Sequence, residues 1–359
     1  MPTSESIRAS IEEVHDPLLG RTLGDLGLIS EIDQGILGGA KIRLLTPVPN
    51  HPHLPELDAA VRVASPGRVS TVDFDVMTDE QRKSLMDRLR DGAGPTVGQP
   101  GSATRVIAIS SGKGGVGKSS VSANLAVELA KRGKRVGLID ADIWGFSIPR
   151  MLGIDTPPVV IDESIIPPRR HGVKAMSMDY FVPEDKAVVW RGPMLHKAIE
   201  QFLEDVFWDA PDYLIVDMPP GTGDISISMS QFLPRAQVLV VTTPQPTAQR
   251  VARRAALMAD EVDQEVIGVV ENMSWFTGDD GKRYEIFGSG GGEALAAEIG
   301  VPLIVQVPLL PEMRSGADHG EPIAIVAPGS EVEVAFEKLA DAVEAAKPRV
   351  RMHPDLVIK

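Results

Sequence analysis

Residues 112–119, GKGGVGKS, carry the pattern in this chain that is best suited to chemistry. They satisfy the spacing G-x-x-x-x-G-K-[ST], directly after the apolar run VIAIS and directly before the helix-forming run SVSANLAVELAKR. In such a loop the glycines let backbone N–H groups turn toward a phosphate chain, and the helix adds the positive end of its dipole. The pattern therefore predicts a site for a nucleoside triphosphate.

Two side chains at the end of this loop are expected to act directly on the ligand. Lys118 should reach the β- and γ-phosphates, and the Ser119 hydroxyl should bind magnesium. ATP and Mg²⁺ are therefore the predicted cofactors. The other nucleotide-binding residues expected in and after the loop are Gly112, Gly114, Gly115, Val116, Gly117 and Ser120.

Three aspartates follow apolar runs at places where a phosphate-binding loop needs acidic partners. Asp140 and Asp142 lie in RVGLIDADIWGFS, and Asp217 ends the apolar run YLIVD. A carboxylate at such a strand end can hold magnesium, and we expect this of Asp140 and Asp217. An Asp after a strand is also a common helix N-cap, so it is the nearby loop that favours the metal role.

GKGGVGKS resembles the deviant Walker A motif of the MinD/ParA-type ATPases, and this resemblance implies an ATP-bridged homodimer. The resemblance implies that Lys113 crosses the dimer interface and reaches the partner's phosphates, as an arginine finger would. It also assigns Asp142 to orienting the attacking water and Asp217 to the metal. Gly221, in DMPPGTGD, would sense the γ-phosphate.

A longer set of motifs is similar to the Mrp (ApbC) branch of this group, whose members are iron–sulfur cluster carriers with ATPase activity. The similarity covers about residues 105–345 and includes DADIWGFSIPRMLG, DMPPGTGDISIS, ENMSWF and FGSGGGEALA. It implies that Asn272 reads the adenine edge and that Pro308 begins a loop over the base. Implied partners are a second copy of the chain and iron–sulfur assembly or acceptor proteins. The N-terminal HDPLLGRTLGDLGLI resembles a small metal–sulfur cluster biosynthesis domain.

The chain has no cysteine, which removes thiol nucleophiles and the thiolate ligands of zinc and iron–sulfur sites. By the same resemblance, the family's Cys-x-x-Cys would lie at residues 277–281, where this chain reads TGDDG. His15, His51 and His53 form a local concentration of histidines, but a polar loop explains them better than a metal site. We therefore expect the nucleotide chemistry to be kept, whereas the chain has no thiolate ligands with which to carry a cluster.

Apolar periodicity indicates the elements that must position these groups. Residues 1–90 predict a small α+β domain in the order α-β-β-α-β-α, and residues 91–104, rich in Gly, Pro, Ser and Thr, predict a linker. Residues 105–346 alternate β-rich and helical runs, which is typical of an α/β fold with a mostly parallel sheet and helices on both faces. Residues 347–359 are expected to form a tail.

Charge and hydropathy exclude several classes of partner. With 36 Lys+Arg against 50 Asp+Glu the net charge is −14, which disfavours nucleic acid and anionic membrane surfaces. No apolar run is long enough to span a bilayer and the first residues do not resemble a leader, so a cytoplasmic protein is expected. Two alternatives stay open: a MinD/ParA-like positioning switch, and a binding protein that uses ATP without cluster cargo.

Overall fold

The structure is a computed structural model that describes residues 4–34, 39–92, 94–99, 101–142, 145–181, 192–221, 229, 231–262 and 264–348. The chain forms two compact units, each made of three segments. The smaller unit comprises Met1–Gly94, Thr156–Arg169 and Asp205–Asp209, and the larger comprises Pro95–Asp155, Arg170–Glu204 and Ala210–Lys359. Most of the predicted tail, from residue 349 onward, lies outside the described residues.

The elements are numbered here in chain order. The helices are α1 Ser4–Glu12, α2 Leu23–Leu26, α3 Leu54–Ala64, α4 Asp79–Asp91, α5 Lys118–Lys131, α6 Ile148–Leu152, α7 Gly192–Glu204, α8 Pro246–Glu261, α9 Gly291–Ile299, α10 Pro311–His319, α11 Ile323–Val326 and α12 Glu331–Ala345. The strands are β1 Ile29–Gln34, β2 Ala40–Thr46, β3 Val69–Val76, β4 Arg105–Ser111, β5 Val136–Asp140, β6 Val159–Ile161, β7 Ser164–Ile166, β8 Arg169–Arg170, β9 Val173–Ser177, β10 Tyr213–Asp217, β11 Gln237–Thr242, β12 Glu265–Thr277, β13 Arg283–Tyr284 and β14 Leu303–Leu309.

The smaller unit is built on a mixed sheet in which β2 lies between β1 and β3. β1 pairs with β2 antiparallel and β3 pairs with β2 parallel. Ile42 and Leu44 alternate into the core because successive side chains of a strand face opposite sides of the sheet. The short helix α2 was not expected from the sequence. It is capped by the Thr22 hydroxyl and ends at Gly27, whose φ is 64°.

Segments far along the chain complete the core of this smaller unit. β6 and β7 form an antiparallel pair, and their residues Ile161 and Ile166 are buried in the same cluster as Ile7 and Leu44. Phe207 belongs to this cluster as well. The smaller unit is therefore assembled from three separate stretches of sequence.

The larger unit confirms the predicted α/β class. Its parallel strands lie in the order β12-β11-β4-β10-β5-β9, with β14 also paired to β12 and the short β13 antiparallel to it. Ile107 and Ile109 of β4 join the core cluster that contains α5 and α12, while Ala108 lies beside Ala255 of α8. Helices therefore cover both faces of the sheet, and its central strands are nearly continuous apolar runs because both faces are buried.

Ion pairs join α12 to α5. Lys131 lies 2.6 Å from Glu333, whose carboxylate also accepts a hydrogen bond from the Gly329 N–H. Arg132 contacts Asp341 at 2.7 Å and Glu344 at 2.9 Å. The last helix, α12, is therefore held to the larger unit by its buried apolar face and, in addition, by ion pairs with the C-terminal end of α5. None of the helices in the described ranges is long and apolar enough to cross a membrane.

Candidate nucleotide site

The strand register brings the predicted site residues to one edge of the sheet. Asp217 pairs with Ile109 on one side and with Asp140 on the other. Because parallel strands share their carboxyl edge, the loop after β4 and both aspartates meet there. A cleft of about 360 Å³ at this edge is lined by loop residues and by Asp142, Ser147 and Pro220. That volume is within the usual range for small-molecule sites.

The glycines of the loop serve two different purposes. A Cβ on Gly112 would lie 2.0 Å from the Val251 carbonyl carbon, so only glycine allows α8 to pack against the start of the loop. A Cβ on Gly114 or Gly115 would meet no atom within 4 Å, because these residues border the open cleft. Gly117, with φ of 79°, turns the chain into α5.

Lys118 has a buried ammonium held by two carboxylates. Its Nζ lies 2.8 Å from Asp217 Oδ1 and 3.8 Å from Asp142 Oδ2, and the side chain is 6% exposed. Although the ion pair with Asp217 is close, Nζ forms no hydrogen bond of acceptable geometry in the described part of the chain. A buried ammonium with unused donors beside a glycine-rich cleft is suited to receive phosphate oxygens.

Asp217 is completely buried and accepts hydrogen bonds from two serines of α5. Ser119 Oγ donates to Oδ2 at 2.6 Å and Ser122 Oγ donates to Oδ1 at 2.7 Å. Because the Ser119 proton is directed to Asp217, the remaining lone pairs of that hydroxyl are available to a cation. Ser119, which lines the cleft, and Asp217 behind it thus provide oxygen atoms suited to magnesium.

Asp140 is also fully buried, but backbone amides surround it. Oδ2 accepts from the N–H groups of Ser147 at 3.0 Å and Ile148 at 3.2 Å, and Oδ1 accepts from the Asp142 N–H at 3.2 Å. Burial raises the pKa of the Asp140 carboxyl and the charge of Asp217 raises it further, while these amides lower it. The carboxylate holds the turn that carries Asp142 toward the cleft.

Lys113 lies within the loop, and Gly221 lies beside the residue that precedes it. Lys113 Nζ donates to Gln245 Oε1 at 3.2 Å, and Gln245 directly precedes α8. The Gly221 N–H donates to the Ser111 carbonyl at 2.9 Å, and its φ is 87°. Lys113 is part of the segment between β4 and α5, and Gly221 contacts the last residue of β4, where that segment begins. The segment after Gly221, residues 222–228, lies outside the described ranges.

Asn272 and Pro308 are placed by β12 and β14. Asn272 Nδ2 donates to the Val116 carbonyl at 2.9 Å, so this buried amide holds the underside of the loop. Contact of Asn272 with adenine stays a prediction. β14 continues to Leu309, so Pro308 lies within the strand and does not begin the following loop. Among the described strands β14 pairs only with β12, and proline is tolerated on such an edge because the unpaired side needs no N–H.

Two contacts of the site were missed from the sequence. The sequence predicts Ser122 only as part of the helix-forming run. Its position one turn after Lys118 and three residues after Ser119 nevertheless places these side chains on one helix face. The contact of Gln245 with Lys113 could not be predicted from sequence pattern, because the two residues are 132 positions apart in the chain. In the described residues no group of three or more His, Asp or Glu side chains is arranged to hold a metal ion by itself.

Comparisons with known proteins agree with this geometry. Residues 102–344 match the family model described as ParA, the NUBPL iron-transfer P-loop NTPases. The iron–sulfur cluster carrier protein of Mycobacterium bovis is 43% identical over 355 residues, covering 95% of this chain and 93% of that protein. The carrier protein of Bacillus subtilis is 39% identical over 323 residues, covering 86% and 89%.

Two solved structures share the fold of the larger unit. A nucleotide-binding protein from Archaeoglobus fulgidus, in complex with ADP, is 33% identical with a TM-score of 0.56, and the match covers 72% of this chain and 96% of that one. The cell division ATPase MinD of Pyrococcus furiosus is 25% identical with a TM-score of 0.52, covering 67% and 98%.

Proposed function

Because the chain belongs to the ParA/NUBPL family of iron-transfer P-loop NTPases, we propose that it binds and hydrolyses Mg²⁺-ATP as a homodimer acting in iron–sulfur cluster assembly or transfer. The observation that carries the proposal is the buried Lys118 ammonium, which lies at the cleft with unused hydrogen-bond donors. The predicted setting of this chemistry is the cytoplasm.

In this proposal the loop binds the triphosphate and Lys118 provides the fixed charge. The backbone N–H groups from Gly114 to Ser120 surround the phosphates, and the N-terminus of α5 adds its positive dipole end. Lys118 turns from Asp217 toward the β- and γ-phosphates and neutralises negative charge that develops during transfer. Asn272 holds the loop through Val116 and also reads the adenine edge, with Pro308 nearby on β14.

Ser119 and Asp217 would hold the magnesium ion. Asp140, predicted from the sequence as a further metal ligand, would act indirectly by holding the turn that carries Asp142. When bound, the ion supplies positive charge that polarises the phosphate oxygens. Asp142 lines the cleft and orients the attacking water. Lys113 leaves Gln245 and reaches the partner's phosphates across the dimer, and Gly221 responds to the γ-phosphate.

The cluster is cargo in this proposal, and the chain's own donors do not fit it. Cluster irons require thiolates, at least in part, and this chain has no cysteine. Carboxylates and carbonyl oxygens are hard ligands and are poor substitutes for sulfur. The thiols must therefore come from another molecule, such as an assembly or acceptor protein or a small thiol.

The absence of cysteine also favours a second candidate function. The protein would use the ATP-dependent dimer to bind a partner without carrying a cluster. A MinD/ParA-like positioning switch has less support, since the net charge of −14 disfavours both DNA and anionic lipid.

Measurement of phosphate release tests the proposed function. The wild-type protein should hydrolyse ATP slowly with added Mg²⁺ and not with EDTA, and Lys118→Ala should abolish the activity. Lys83→Ala, at an exposed position of α4 in the smaller unit, is the matched loss of a lysine and should behave as wild type. Hydrolysis by Lys118→Ala at the wild-type rate would refute the assignment.

A further inference from the structure

The Ser122 hydroxyl has two acceptors but one proton. Its Oγ lies 2.7 Å from Asp217 Oδ1 and 3.1 Å from the Lys118 carbonyl oxygen. A hydroxyl can donate to only one of them at a time. The shorter contact, to the ionised carboxylate, is the stronger because it is charge-assisted. The Ser122 proton is therefore directed mainly to Asp217.

Asp217 Oδ1 has a second contact, with Lys118 Nζ at 2.8 Å. In the proposed function, on which this inference rests, Lys118 must turn away to bind phosphate. Asp217 has no solvent exposure, so its partners in the structure are protein groups. Within the described residues, Ser122 Oγ is then the remaining hydrogen-bond donor to this oxygen, whereas Ser119 donates to the other oxygen.

We propose that Ser122 is a positioning residue that satisfies Asp217 Oδ1 when Lys118 moves to the nucleotide. Without this hydroxyl, Asp217 Oδ1 would lose its remaining hydrogen-bond donor at the moment of nucleotide binding, and an unsatisfied buried carboxylate oxygen is costly. Asp217 would then compete with the phosphates for Lys118. Ser122 thus lowers the cost of releasing the lysine and keeps Asp217 oriented toward Ser119.

Loss of the Ser122 hydroxyl should affect the nucleotide-bound protein and the nucleotide-free protein differently. In the free protein Lys118 still contacts Asp217, so removal of the Ser122 hydroxyl leaves Oδ1 with a cationic partner. In the bound protein that partner has gone. A purely structural role for Ser122 would weaken both forms to the same extent, whereas the proposed role weakens nucleotide binding selectively.

The test is calorimetric titration of full-length protein with Mg²⁺ and AMP-PNP, a non-hydrolysable ATP analogue. We expect Ser122→Ala to bind about ten-fold more weakly than wild type, which is the loss of one hydrogen bond to a charged group. Ser122→Thr keeps the hydroxyl and should bind nearly as wild type does. Ser65→Ala removes another buried serine hydroxyl in the smaller unit, one that has no hydrogen-bond partner among the residues described, and should not change binding. Without nucleotide, Ser122→Ala should unfold at nearly the wild-type temperature.

Three results would overturn the proposal. Equal AMP-PNP affinity of wild type and Ser122→Ala would show that the hydroxyl is not needed in the bound form. A large fall in the unfolding temperature of nucleotide-free Ser122→Ala would show a packing role, and equal loss of affinity in Ser122→Thr would show that volume matters and the hydroxyl does not. Failure of the wild-type protein to bind Mg²⁺-AMP-PNP would instead reject the proposed function, and the role of Ser122 with it.

Discussion

Asp140 and Asp217 are register partners at the ends of neighbouring parallel strands, and neither carboxylate is exposed. Their surroundings differ in kind. Asp140 accepts hydrogen bonds from three backbone amides of the turn that follows β5 and from the Ser177 hydroxyl, whereas Asp217 faces Lys118 and two serine hydroxyls. The two aspartates occupy equivalent positions in the sheet but act differently. Asp140 organises the backbone of the following turn, and Asp217 is directed at the nucleotide cleft.

The two aspartates should respond differently to the same change. Asp140→Asn replaces an acceptor with an NH₂ group that faces backbone donors, so the free energy of unfolding should fall by about 1–3 kcal/mol. Asp217→Asn should reduce the magnesium-dependent rate of ATP hydrolysis by about 100-fold or more, because charge at the metal is lost. Thermal unfolding and phosphate release at varied Mg²⁺ concentration distinguish them. The same profile for both variants would contradict this division of roles.

The proposed action of Lys113 across a dimer can be tested with mixed subunits. Lys113→Ala and Asp142→Ala homodimers should each be inactive. An equal mixture should recover about a quarter of the wild-type rate, because half the dimers are mixed and each has one complete site. Subunit exchange is verified with differently tagged chains. If exchange occurs and no activity returns, each site lies within a single chain.

Anaerobic reconstitution with iron and sulfide, without an added thiol, should leave the purified protein without a stable [4Fe–4S] cluster. Such a cluster bridging two subunits requires four thiolates, and this chain supplies none of them. Iron content and visible absorbance are the measurements. Stoichiometric iron with charge-transfer bands would show that the ligand argument is wrong. Absence of iron together with intact ATPase activity would favour delegation of the cargo to a partner.

Gly112→Ala should destabilise the larger unit, because Gly112 is buried at the start of the loop. The added methyl group would meet the α8 backbone at Val251 and Ala252, which cannot move away without shifting the helix. Overpacking of this kind lowers the free energy of unfolding by about 1–3 kcal/mol. Gly114→Ala is the matched control for stability, since its Cβ would meet no atom within 4 Å. Equal unfolding temperatures for the two variants would rule out the steric account.

The contact between Glu333 and Lys131 should make stability depend on pH. Burial opposes ionisation of Glu333, but the hydrogen bonds from Lys131 and the Gly329 N–H hold its pKa below the ordinary value of 4.5. Its contribution is therefore complete above pH 4.5 and is lost as the pH falls through the lower, folded-state pKa. Chemical unfolding from pH 7 to 3 should show a smaller acid-induced loss for Glu333→Gln. Parallel curves for the two proteins would exclude this contribution.

Local pattern was sufficient to predict much of the fold. Apolar periodicity and turn residues predict a helix over Leu54–Ala64 and a strand over Gln237–Thr242, and both elements have these ends in the structure. Thr78 and Gln81 have the spacing of a capping box, and the capping box is present. The apolar run 266–270 predicts a short strand, but β12 extends to Thr277 and pairs there with β13. That pairing has no local signal in the apolar run.

The details of the site depend on contacts between residues distant in sequence. The pattern of residues 112–119 predicts a phosphate-binding loop, but not that Gly112 must accommodate α8 or that Lys113 contacts Gln245. Asp140 and Asp217 have the same residue type and the same place after a strand. Their surroundings differ because the backbone takes a different path after each aspartate, and that path depends on the whole fold.

The assembly of the smaller unit from three separate segments affects how the chain can fold during synthesis. Its core includes Ile161, Ile166 and Phe207, so it cannot be completed until the segment Asp205–Asp209 has left the ribosome. Domains made of one continuous segment can fold as their last residue emerges, and N-terminal ones generally fold first. Here β4, α5 and β5 of the nucleotide-binding unit are translated before the N-terminal core can close. The nascent chain must therefore keep the apolar surface of its first 94 residues from aggregation while more than a hundred further residues are added.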